Sequence, residues 1–137
     1  MTPEQAQAAM PDLQPVQNGE KLDVGQVKSE RPYEAAGVKA EARLYYGAAG
    51  LEMVAVEMGE GRAKAACPKL VQAMLDRYGK PLSLSDQVIL RVVIWHDEPR
   101  QTRLRMLVGG GGEICSLHFE RLSTYRDGDL QRAAARP

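Results

Sequence analysis

From residue 66 to residue 81, in ACPKLVQAMLDRYGKP, apolar side chains recur at helical spacing, with Cys67, Leu70, Val71, Met74, Leu75 and Tyr78 on one stripe. Pro68 fits the first turn of a helix, Gly79 supplies a C-terminal stop, and Pro81 prevents continuation. A shorter helix opens the chain. Thr2 is its N-cap, Pro3 its first residue and Gln5 the reciprocal capping partner, while Pro11 ends it. Elsewhere the period changes to two. Residues 38–46 place Val38, Ala40, Ala42, Leu44 and Tyr46 against a mostly polar face, and residues 51–58 return after Gly47-Ala48-Ala49-Gly50, which predicts a hairpin. Residues 88–95 are β-branched and apolar on both parities, as in a strand covered on both faces. Residues 102–108 and 114–122 predict two further strands joined by four glycines. Residues 13–16 suggest a short strand. Residues 24–36, which contain Gly25 and Pro32, suggest an extended edge segment around Val27 and then a loop. Residues 83–86 read as a loop and 96–100 as a turn. The polar stretch after Ser123 reads as a frayed tail or a short helix.

The order helix, extended segment, hairpin occurs twice, and PEQAQAAM matches PKLVQAML in the spacing of Pro, Gln and Ala. The expected fold class is therefore α+β. It has two helix-plus-antiparallel-sheet halves, residues 1–61 and 62–123, within one globular domain, followed by a polar tail at 124–137. Duplication and chance similarity both remain open, and the second helix is expected to pack on the second sheet. The opening MTPEQAQAAMPDLQP is similar to the helix that begins small envelope domains of the BamE (SmpA/OmlA) type, with Met1, Thr2 and Gln5 at the matching positions. A tandem of such units resembles the β-lactamase-inhibitor-protein architecture. The resemblance implies an exported protein that binds other proteins without catalysis, and it carries over no functional residues.

Composition narrows this further. A chain of 137 residues can bury a substantial core. Eighteen basic and eighteen acidic residues cancel, so net charge recruits neither nucleic acid nor an anionic membrane. No apolar run approaches the roughly 18 residues of a membrane span. The N-terminus lacks the charged and apolar regions of a signal peptide, yet a helix begins almost at once. The expectation is a leader already removed from a periplasmic or secreted protein, with a natural short start and a cytoplasmic location as alternatives.

Chemistry centres on the two cysteines. Cys67 lies on the helical stripe, and Cys115 is in step with Leu117 and Phe119, so a helix packed on the sheet would bring both together as a disulfide. The alternatives are two buried thiols, or a Cys67 thiolate favoured by the helix N-terminus and served by His96 or His118. Alternation points His118 away from Cys115. The cysteines are 48 positions apart with no close-spaced partners, so no metal site is expected, and no cofactor. GEGRAK lacks the residues of a phosphate loop, and GGGG joins strands rather than opening a helix. The most informative surface groups Arg91, Trp95, Arg103 and Arg105 on the outer sheet face, where Trp and Arg suit an interface with another protein or a second copy. The competing reading, placed slightly ahead, is that the first half or the tail covers this face, with Arg91 or Arg105 paired to Glu120. The expected function is a non-catalytic exported binder of another protein, acting as an inhibitor, an immunity factor or an envelope-assembly accessory. The alternatives are a small enzyme using Cys67 with a histidine, and a cytosolic structural or phage-derived domain.

Overall fold

The computed structural model describes residues 1–35, 37–58, 63–86, 89–109 and 114–135. Most of GEGRAK, three residues of the four-glycine segment, Ala36, Val88 and the last two residues lie outside the described residues. In chain order the elements are α1 (Pro3–Ala9), β1 (Gln14–Pro15), β2 (Lys21–Leu22), β3 (Gly25–Ala35), β4 (Val38–Gly47) and β5 (Gly50–Glu57), then α2 (Ala63–Tyr78). They continue with β6 (Ser83–Asp86), β7 (Leu90–Asp97), β8 (Thr102–Gly109), β9 (Ile114–Arg121) and α3 (Leu122–Ala134). The fold is α+β and dominated by its sheet.

Period-two alternation makes the strands, and one sheet takes them all. Its order is β1-β3-β4-β5-β9-β8-β7-β6, with β2 also paired to β3. Every pairing is antiparallel. The two sheets expected from the sequence are thus one, joined where β5 runs against β9 from Met53↔Glu120 to Glu57↔Ser116. The seam forms because both strands offer apolar residues in register: Val54 faces Phe119 and Val56 faces Leu117.

One face of this sheet carries α2. Cys67, Leu70 and Met74 descend into a core with Val56, Leu104 and Met106. The shorter α1 covers the same face farther along, where Ala6 packs with Leu13, Leu44 and Tyr46. Its Thr2–Gln5 capping box forms as the sequence predicts. Gly50, at φ +105°, turns the β4–β5 hairpin where any Cβ would collide with the Met1 backbone, and Leu51 N–H donates to Met1 O at 2.7 Å.

Two expectations change, and a third, the tail read as frayed or as a short helix, is decided. Residues 83–86 form edge strand β6, too short for alternation to reveal. The segment read as partly loop is the eleven-residue β3, which tolerates Pro32 because β1 reaches only Ser29 and Glu30 on its outer side. The expected polar tail is mostly α3, which has no apolar stripe but buries Leu122 and Asp129. A helix that docks through a carboxylate carries no apolar periodicity to read.

Candidate functional site

Helix α2 places Cys67 over β9, and the Cys67–Cys115 disulfide forms with Cα atoms 5.8 Å apart. In this form the thiolate required by the alternative catalytic reading does not exist. His118 lies on the other face of β9 from Cys115, as its alternation predicts.

The surface expected from Arg91, Trp95, Arg103 and Arg105 does not assemble. Trp95 is in register with Leu104, so it shares the α2 face, where it is only 2% exposed and its Nε1–H donates to Gly79 O at 3.0 Å. Arg91 is on that face too, paired with Asp86 at 2.7 Å. Arg103 and Arg105 point to the opposite face. The cause is the β7 sequence, apolar on both parities. Which parity meets the helix is set by the register of the β7–β8 turn, Asp97↔Thr102.

On the opposite face α3, in the expected tail, closes a buried ionic cluster. The Arg105–Glu120 pair expected under cover by the chain itself is present, with Arg105 Nη2 donating to Glu120 Oε2 at 3.3 Å, while the part of Asp129 had no sequence signal. Arg103 Nε and Nη2 donate to Asp129 Oδ2 and Oδ1 at 2.7 and 2.8 Å, and Nη1 donates to Glu120 Oε1 at 2.9 Å. Its guanidinium also lies 4.4 Å from the centre of the Tyr125 ring. His96 Nε2 sits 2.8 Å from Asp129 Oδ2, and Arg132 donates to Oδ1 from one turn along α3. Burial alone would raise the Asp129 pKa, but its bonds to Arg103 and His96 hold it below the usual carboxylate range. Beside this cluster His118 Nδ1 accepts from Arg105 Nη2 at 2.8 Å. Burial, then the charges of Arg105 and Arg103, push the His118 pKa down to about 4, so the ring is neutral near pH 7. Five charged side chains close on one another here, and the chemistry is that of a helix dock. Among the described residues no group of three or more His, Cys, Asp or Glu side chains is arranged to hold a metal ion.

The open geometry is on the helical face. Beside the end of α1 a groove of about 400 Å³ is lined by the half-buried Val54 and Phe119 over the buried Leu44, together with Met10, Tyr33, Arg31 and Glu34. The volume and the mostly apolar lining fall in the range of sites that take a small ligand or an anchoring side chain. The groove follows from unequal helices: α1 has 7 residues against 16 in α2, too few to cover the sheet between them. A second cleft, of about 410 Å³, lies between the end of α2 and the β7–β8 turn and is lined by Arg77, Tyr78, His96 and Arg100 among others. It is more polar, and its Arg100 is already paired with Asp97. No sequence signal marked the groove, because it is defined by what α1 fails to cover.

An antiparallel sheet with two helices on one face and one on the other defines the class, a small α+β domain. In fold it is similar to the crystal structure of a DUF4309 family protein, YjgB from Bacillus subtilis subsp. subtilis str. 168. The TM-score is 0.51 at 9% sequence identity, over 88% of this chain and 78% of that one, and a likeness at that identity is one of fold alone. No protein-family model matches the sequence, and no curated protein matches it.

Proposed function

We propose that this chain is a non-catalytic exported protein that binds another protein, in the manner of an inhibitor, an immunity factor or an envelope-assembly accessory. The observation that carries the reading is the mostly apolar groove beside α1, where Phe119, Val54 and Leu51 are only partly buried by the chain itself. Large half-buried side chains in a concave site are what an anchoring residue of a partner fills. The Cys67–Cys115 bridge supports export, since such bonds persist in oxidising compartments. No helix among the described residues is long and apolar enough to cross a membrane.

The test is association in the compartment of origin. Crosslinking in intact cells, followed by mass spectrometry, should give a partner protein whose yield falls at least about tenfold, or about 1.4 kcal/mol, in Tyr33→Ala and Met10→Glu variants that keep the parent melting temperature. A partner retained undiminished by both variants would move the interface elsewhere. Recovery only from a reducing cytoplasm, with both cysteines free, would overturn the export reading.

A further inference from the structure

Asp129 sits in its cluster as a ligand sits in a receptor, because the groups that grip it are built without α3. His96 on β7 is in register with Arg103 on β8, and Arg103 with Glu120 on β9, so three side chains stand abreast on neighbouring strands. Glu120 takes Arg103 Nη1, which leaves Nε and Nη2 as a two-pronged fork for a second carboxylate. Arg105 also pairs with Glu120, so two guanidiniums share one carboxylate and the sheet's own part of the seat has positive charge in excess. Little else fastens α3. Leu122 anchors its base, Tyr125 adds a ring contact to Arg103, and Asp129 is the one other buried residue of the helix. Its N-terminus has no side-chain cap, and its Arg126–Glu98 pair is largely exposed, where ion pairs contribute little. Lifting α3 strands no ion: Arg103 and Arg105 keep Glu120, and Asp129 keeps Arg132 of its own helix.

We propose that α3 is an autoinhibitory latch: Asp129 fills, from within the chain, a seat that receives a carboxylate side chain of a partner protein once α3 lifts. A helix held by an apolar stripe has no small competitor, whereas one held through a carboxylate competes with any carboxylate that reaches Arg103. The exchange leaves the guanidinium paired throughout, so its cost is the difference between two carboxylates and not that of a bare buried charge. The seat is on the sheet face opposite the groove, and its occupancy is independent of whatever binds there.

The experiment is native-state hydrogen exchange on the intact, oxidised protein near neutral pH, with acetate as the competing carboxylate. The α3 amides should exchange as a unit, at least about tenfold faster than the slowest amides of β8 and β9. Acetate at about 0.5 M should speed them about tenfold over chloride of equal ionic strength, the mass-action effect of a site with a Kd of about 50 mM, and leave β8 and β9 unchanged. Asp129→Asn should free the α3 amides while the sheet keeps its protection, and acetate but not chloride should raise the melting temperature of this variant. Exchange of α3 only through global unfolding would make the helix a fixed part of the fold and overturn the proposal. So would equal acceleration by chloride and acetate, which is screening alone. Loss of sheet protection together with α3 in Asp129→Asn counts equally against it.

Discussion

The two faces of the sheet are closed by opposite means. On one, α2 presents Leu70 and Met74 to an apolar core and is tied down by the Cys67–Cys115 bridge. On the other, α3 offers almost no apolar stripe and is held by Arg103, Asp129, Glu120 and His96, with Leu122 as its buried apolar residue. Burying charge costs several kcal/mol per ion unless each is paired and hydrogen-bonded. Here the side chains of Arg103, Glu120 and Asp129 are 7%, 2% and 1% exposed, and each finds a partner. The apolar face tolerates the loss of one contact in many. The ionic face concentrates its integrity in one guanidinium.

That contrast sets the largest expected effect. Arg103→Met should destabilise the protein by about 5 kcal/mol, because it strands the Glu120 and Asp129 carboxylates in a buried site. Urea denaturation measures the loss, and a cost below about 1 kcal/mol would show that α3 opens and lets water reach the carboxylates. Replacing both cysteines by alanine should cost slightly less. Freeing a bridge across 48 positions gives about 4 kcal/mol in the chain-entropy model. Reduction of the native protein should produce a similar drop in denaturation midpoint, while Arg103→Met should remain oxidised, since its defect lies on the other face.

The same contrast explains which parts were legible in the sequence. The α2 stripe, the capped α1, the hairpins and the cysteine pairing announce themselves through periodicity, and the structure contains each of them. Asp129 looked like one more polar residue of a tail, since a buried carboxylate leaves no pattern along the chain and its partners lie 26 and 33 positions away. Trp95 was placed on the wrong face because Val92, Val93, Ile94 and Trp95 leave both parities apolar, and only the turn register chooses between them. The groove was invisible for a third reason: it depends on the length of α1 relative to the sheet it covers.

Acid should separate the faces next. His118 is neutral in the fold, with a pKa near 4 against an ordinary value of 6.5. A depressed histidine pKa means that the unfolded chain takes up the proton first. Its contribution is therefore complete above about pH 6.5 and is lost progressively as the pH falls toward 4. The loss amounts to about 3 kcal/mol, since a tenfold change in proton affinity corresponds to about 1.4 kcal/mol. His118→Asn should flatten this part of the stability–pH curve. A slope that survives the substitution would place the acid sensitivity elsewhere, with the carboxylates of the cluster.

The smallest effect should come from the one polar contact of the α2 face that involves Trp95. Trp95→Phe retains an aromatic ring among Val93, Leu104 and Met74 but removes the Nε1–H that reaches Gly79 O at 3.0 Å. Gly79 follows α2 directly, and its φ of +74° turns the chain so that the carbonyl meets the indole. A neutral hydrogen bond at the rim of the core contributes about 1 kcal/mol net, and a carbonyl near the surface can find water when the indole is gone. The expected loss in urea denaturation is therefore about 1 to 2 kcal/mol, well below that of Arg103→Met. The substitution also addresses the surface first expected around Trp95. Because the ring is buried under α2, sedimentation of Trp95→Phe should match that of the parent at every concentration. Weakened association with unchanged folding would mean that α2 moves aside to present the tryptophan, and the apolar face would then be the less firmly closed of the two.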